Sequence, residues 1–91
     1  MTDIAATLAG RQATHGDFKV QARKEYQLRE LMERGHTWSS LTAVQQAALH
    51  SIAIKLARIL CGDPNHPDHW HDIAGYATLV EQDLTNRRDP T

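Results

Sequence analysis

Nothing in the chain constrains its fold as much as the stretch between Thr42 and Gly62. Val44, Ala48, Ile52, Leu56, Ile59 and Leu60 recur there at spacings of three and four, with Leu49 and Ala53 widening the stripe. That period belongs to an α-helix and not to a strand. Thr42 followed three residues later by Gln45 fits a capping box, and Gly62 closes the run, so a helix is expected over residues 43–61. A helix this apolar sits at the centre of its fold.

The remaining punctuation places three partners around it. Thr2 or Asp3 can cap a short helix over about residues 3–13, weakened by Gly10. Thr14-His15-Gly16-Asp17 reads as a turn in which Gly16 is free to take a positive φ. A second helix is expected from Phe18 to Arg34, with Asp17 as N-cap, Gly35 at the C′ position and Glu30–Arg34 as an i,i+4 ion pair. After a loop over residues 36–41 and the central helix, Asp63-Pro64-Asn65-His66-Pro67 forms a turn. Pro67 opens a fourth helix that carries Ile73, Ala77, Val80 and Leu84 and reaches about Asn86, ahead of a frayed tail from Arg87 to Thr91. There is no strand alternation, internal repeat or low-complexity segment. The expected fold is all-α: a compact antiparallel bundle of three main helices and a short N-terminal one, forming a single domain over residues 1–91.

Such a bundle has a thin core. A chain of 91 residues buries roughly 60–65% of its unfolded surface, and many of the apolar residues here are alanine. Association with further copies is the natural remedy, so a homo-oligomer is expected. Ten basic and eleven acidic residues leave a net charge of −1, which is neither a nucleic-acid footprint nor a means of holding to an anionic membrane. Cys61 is the single cysteine and lies in an apolar helical run, where a buried structural thiol is expected rather than a reactive one. The N-terminus lacks the basic start and apolar core of a signal peptide, and no apolar run is long enough to span a bilayer. The expected compartment is the cytoplasm.

Charged residues gather on helices three and four. Ser51, Lys55 and Arg58 share one face of the third helix; Asp68, Asp72 and Tyr76 share one face of the fourth. The turn between the helices sets the basic pair opposite the acidic pair across a groove. Two readings follow from this spacing. The groove either takes a phosphate on Lys55 and Arg58 with Mg²⁺ on Asp68 and Asp72, whose hard oxygens suit that ion, or holds an interhelical salt-bridge network and no ligand. Trp70 beside the aspartates either stacks on a base or packs against a loop or another subunit. Tyr76 either hydrogen-bonds a ligand or sets its hydroxyl at the rim of the core. Gly75, inside a helix, suggests close helix approach.

Ile54-Lys55-Leu56-Ala57-Arg58-Ile59, followed by Asp68-His69-Trp70-His71-Asp72-Ile73-Ala74-Gly75-Tyr76-Ala77, resembles the MazG-like proteins of phages and prophages. The resemblance is best over residues 50–82 and extends more loosely back to residue 11 through Thr14-His15-Gly16-Asp17-Phe18. It implies an all-α nucleotide-handling protein. It also implies distant kinship with pyrophosphatases that use Mg²⁺ to convert nucleoside triphosphates to monophosphate and pyrophosphate. Those enzymes carry a Glu-Glu-x-x-Glu motif that this sequence lacks; Glu30-Leu31-Met32-Glu33, with Glu25 one turn earlier, is the nearest approach. No catalytic residue is assigned. Two function classes stand: a nucleotide- or phosphate-binding protein, with or without hydrolysis, at Lys55, Arg58, Tyr76 and Trp70; or a non-catalytic phage accessory protein that sequesters a nucleotide signal or a host protein as an oligomer.

The histidines offer a rival chemistry. His66 and His69 can share a Zn²⁺ if both lie in the first turn of the fourth helix, while His71 points elsewhere. The alternative sets His69 and His71 in solvent or in hydrogen bonds near the groove, and makes His15 a turn residue rather than a general base.

Overall fold

The computed structural model describes residues 3–88. Four α-helices and a short 3-10 turn account for nearly all of them, in the order α1 (Ile4–His15), α2 (Phe18–Glu33), a 3-10 turn (Trp38–Ser40), α3 (Ala43–Cys61) and α4 (Pro67–Arg88). Strands are absent among the described residues, as the periodicity requires.

The caps follow their expected chemistry. Asp3 accepts from the amides of Ala5 and Ala6, and Asp17 from those of Lys19 and Val20. Thr2, the other cap considered for α1, lies outside the described residues. Thr42 Oγ1 accepts from Gln45 N at 3.1 Å and Gln45 Oε1 from Thr42 N at 2.8 Å, so the capping box is complete. Pro67 is the first residue of α4.

Three boundaries differ from the sequence expectation. Helix α1 runs on through Thr14 to His15, which narrows the turn to Gly16 and Asp17. Gly35 does not take the left-handed conformation; its amide closes a tight turn onto Met32 O at 2.9 Å, and Gly16 (φ 85°) is the one described residue with positive φ. Helix α4 continues two residues past Asn86, to Arg88; residues 89–91 lie outside the described part.

Helix α3 is central. Its Gln46 donates to Trp38 O at 3.0 Å and its His50 meets Glu33 of α2 at 3.2 Å, while its Lys55 reaches Asp72 of α4 at 2.8 Å. Gln46 and Lys55, nine residues apart, stand on opposite sides of the helix. Helices α2 and α4 therefore flank α3 from opposite sides, and they scarcely touch each other. The interior is correspondingly small. Ala48, Ala53 and Ala57 are the buried apolar residues, and all three lie on α3, where their short side chains let its neighbours approach. Cys61 is half-buried at the end of that helix.

The two interhelical turns lock together. Asp63 N donates to Thr14 O at 3.0 Å, and His69 Nε2 donates to the same carbonyl at 3.0 Å. Gly16 and Gly62 permit this contact. A Cβ on Gly16 would overlap the Cys61 carbonyl, and one on Gly62 would lie 2.5 Å from the Thr14 oxygen. This clasp fixes the end of α1 against the α3–α4 hairpin and so sets one wall of the polar groove. No helix among the described residues is long and apolar enough to cross a membrane.

Candidate functional site

The groove is built from the i, i+3 and i, i+4 spacings on α3 and α4. Lys55 Nζ lies 2.8 Å from Asp72 Oδ2; the lysine side chain is mostly buried, the aspartate 41% exposed. The hydrogen bond from Lys55 holds the Asp72 carboxyl below its ordinary range, and the lysine charge adds to it. Asp72 is therefore ionised at neutral pH, and Lys55 cannot lose this partner without exposing an unpaired charge.

Arg58 lies one turn further along α3, in a more crowded setting. Burial comes first in lowering its pKa, and the Arg11 guanidinium comes next; Asp72, Glu25 and Tyr76 act in the opposite sense. Groups on the three other helices thus act on Arg58: Arg11 from α1, Glu25 from α2, and Asp72 and Tyr76 from α4. Arg58 Nε is buried without a hydrogen-bond partner among the described residues. A buried N–H with no acceptor costs about 1–3 kcal/mol. The arrangement carries two cations that repel each other and a donor that lacks an acceptor.

Lys55, Arg58, Asp72 and Tyr76 converge as their spacing implies. Asp68 does not join them closely: its side chain is 81% exposed and its nearest partner is His66 Nε2 at 3.7 Å. Trp70 stands elsewhere. Its indole N–H donates to Pro64 O at 2.7 Å, its surface is 55% exposed, and its helical position sets it away from the Asp72–Tyr76 side of α4. Of the two openings left by the sequence, packing against the preceding turn describes Trp70. Gly75 has open space where a Cβ would project, so the close helix approach suggested by its position is not made within the chain.

Mg²⁺ was expected on Asp68 and Asp72. Among the described residues no three His, Cys, Asp or Glu side chains converge in a way that could hold a metal ion. Asp72 pairs with Lys55, and Asp68 has His66 at 3.7 Å. The same finding bears on zinc. His66 and His69 are close, with ring centroids 4.8 Å apart, and His15 lies edge-on to His69 at 4.9 Å. They pack as rings rather than converge as ligands.

Of the two settings expected for His69, solvent or a hydrogen bond near the groove, the structure shows the second, with the ring 2% exposed. Its Nε2 proton is committed to Thr14 O. His15 is pushed down to about 4, by burial first and then by Arg58, Arg11, His69 and His66. It is neutral at physiological pH and packs beside the cationic pair without adding charge to it.

The three glutamates nearest to the missing Glu-Glu-x-x-Glu pattern are each engaged elsewhere: Glu25 with Arg29 at 3.4 Å, Glu30 with Arg34 at 3.5 Å, and Glu33 with His50 at 3.2 Å. Only Glu25 bears on the groove. Sequence reasoning missed Arg11. It lies four residues before His15 on α1, so the clasp that fixes His15 against His69 also carries Arg11 towards Arg58. That neighbourhood depends on a tertiary contact that no local spacing announces.

The chain belongs to the family described as Domain of unknown function (DUF6378), whose model matches residues 3–83. No curated protein and no solved structure matches it.

Proposed function

From membership of a family without an assigned activity, we propose that the chain binds a nucleotide by its phosphates on the polar face of α3 and α4. The observation that carries this reading is Arg58. Its Nε has no acceptor, and the positive charge of Arg11 opposes its own. An anion placed between them would satisfy the donor and offset the repulsion together. Arginine suits this task because its planar fork engages two phosphate oxygens at once. Lys55, held by Asp72, supplies a second positive charge one turn away, and Tyr76 borders the same space with a hydroxyl that can donate to a phosphate or a ribose. The resemblance of residues 50–82 to MazG-like phage proteins supports a nucleotide over other phosphates.

Binding without hydrolysis is the better-supported form. Hydrolysis of this class needs several carboxylates that gather metal and activate water. Here Glu25, Glu30 and Glu33 are paired with cations or histidine, and Asp68 and Asp72 do not form a metal cage. Mg²⁺ is then carried by the triphosphate itself, and no step is assigned to it. An accessory role, in which the bound nucleotide is sequestered, follows from the same arrangement.

Thermal shift with single nucleoside tri-, di- and monophosphates, with and without Mg²⁺, read alongside pyrophosphate release, tests the proposal. The expected result is a phosphate-dependent rise in melting temperature with no pyrophosphate formed. No shift with any of them at millimolar concentration would refute binding, and Mg²⁺-dependent release of pyrophosphate would replace the accessory reading with a catalytic one.

A further inference from the structure

Two polar residues, His69 and Gln21, are buried among the described residues. His69 meets Thr14 O, so the clasp accounts for its burial. Gln21 has no such account. It is 4% exposed, and its amide oxygen Oε1 is buried without a hydrogen-bond partner among the described residues. A buried acceptor left unsatisfied is costly, and it asks for a donor from outside the chain.

Gln21 lines a hollow of about 350 Å³ between α1 and α2, at the small end of the roughly 300–1,000 Å³ of small-molecule sites. Leu8 of α1 and Phe18 of α2 give it apolar walls, and the Phe18 ring is 70% exposed. Arg11 and Lys19, both exposed, bring positive charge to it. The first amides of α2 are already taken: Asp17 Oδ1 accepts from Lys19 N at 3.0 Å and from Val20 N at 3.2 Å, and Asp17 lines the same hollow. The start of α2 is therefore not an anion site. The occupant that suits these walls is a flat, largely apolar group with an N–H on its edge, joined to an anionic part on the Arg11 side. A nucleobase has that form: its faces stack on an aromatic ring, and its edge carries hydrogen-bonding groups.

The hollow adjoins the polar groove through the clasp. Gly16 lines the hollow and also packs against the carbonyl of Cys61, three residues beyond Arg58 on α3. Arg11 lines the hollow too, and its charge acts on Arg58. A ligand with its phosphates at Arg58 and its base between α1 and α2 would pass along Arg11.

We propose that this hollow seats the base of the bound nucleotide, with the Gln21 amide as its polar contact and Phe18 as its stacking wall. The proposal rests on the nucleotide reading above and adds to it the place of the base.

Isothermal titration of wild type, Gln21→Leu and Phe18→Ala with inorganic triphosphate and with ATP, CTP, GTP and UTP tests this. Inorganic triphosphate reports the phosphates alone, and the margin of a nucleotide over it reports the base. At least one nucleotide is expected to bind wild type about tenfold or more tighter than inorganic triphosphate, from one buried hydrogen bond and one stacked ring. Both variants are expected to lose most of that margin and to keep the affinity for inorganic triphosphate. Gln21→Leu should melt no lower than wild type, because it removes the orphaned oxygen. Equal affinity for inorganic triphosphate and all four nucleotides, or a margin that survives both substitutions, would overturn the base site and leave the phosphate reading standing. A wild type that binds none of the five would overturn both. Should Gln21→Leu unfold, Phe18→Ala decides, since its ring is exposed.

Discussion

Replacing Gly16 by alanine should damage this fold more than its place in a surface turn suggests. The residue has φ 85° and ψ 177°, a backbone region that is almost confined to glycine. Holding a residue with a Cβ there costs of order 1–3 kcal/mol. The new Cβ would also overlap the carbonyl of Cys61. That oxygen is backbone at the end of α3, so it cannot turn aside as a flexible side chain would. The α1–α2 and α3–α4 turns would have to part, which weakens both bonds to Thr14 O, from Asp63 N and His69 Nε2. A total of at least about 2 kcal/mol follows from strain and one weakened hydrogen bond. For a domain of this size each kcal/mol lowers the melting temperature by about 4–8 °C, so a fall of about 10 °C or more is expected. Gly10→Ala is the matched control: it is helical, has open space at its Cβ, and gains helix propensity, so it should raise the melting temperature by a few degrees. Thermal denaturation followed at 222 nm reads both. A Gly16→Ala protein that melts within about 3 °C of wild type, against the per-kcal scale above, would refute the clasp.

Three other outcomes follow. Because His15 is neutral in the fold down to about 4, while an unfolded histidine takes up its proton near 6.5, stability should be full above pH 6.5 and fall as the pH drops towards 4; His15→Gln should flatten that part of a melting-temperature-against-pH profile. Asp72→Asn should lower the melting temperature, since the mostly buried Lys55 ammonium loses its counter-charge, and a phosphate ligand should restore part of the loss by pairing with Lys55; a variant that melts like wild type would show that Lys55 does not depend on the pair. Gly75→Ala should raise the melting temperature, because nothing opposes the added methyl; a fall would place a partner helix on that side of α4.

The helices were legible because their signals are local. Thr42 and Gln45, Asp17, Pro67 and the three- and four-residue apolar spacing of residues 44–60 each act within one or two turns, and the structure follows them closely. The convergence of Lys55, Arg58, Asp72 and Tyr76 was legible for the same reason, given a short turn between consecutive helices. What escaped the sequence depends on contacts between distant segments. The burial of His69 comes from its bond to Thr14, fifty-five residues away, and the approach of Arg11 to Arg58 comes from the glycine-lined clasp. Trp70 was placed beside the aspartates by sequence adjacency, but a helix turns by about 100° per residue, which carries a neighbour in sequence to another face. The alanine-only interior of α3 was visible as composition; that α2 and α4 scarcely touch follows only from how they divide α3 between them.

The most direct test of the central claim is nucleoside triphosphate binding by wild type and Arg58→Met, measured by isothermal titration calorimetry beside their melting curves. If Arg58 is kept in a buried, self-repelling setting to hold an anion, its replacement should abolish measurable binding and leave the melting temperature unchanged or higher, because an unpartnered donor and the repulsion from Arg11 disappear together. Wild-type and variant proteins that bind equally well, or a wild type that binds nothing while Arg58→Met melts far lower, would contradict the account and make the groove a salt-bridge network.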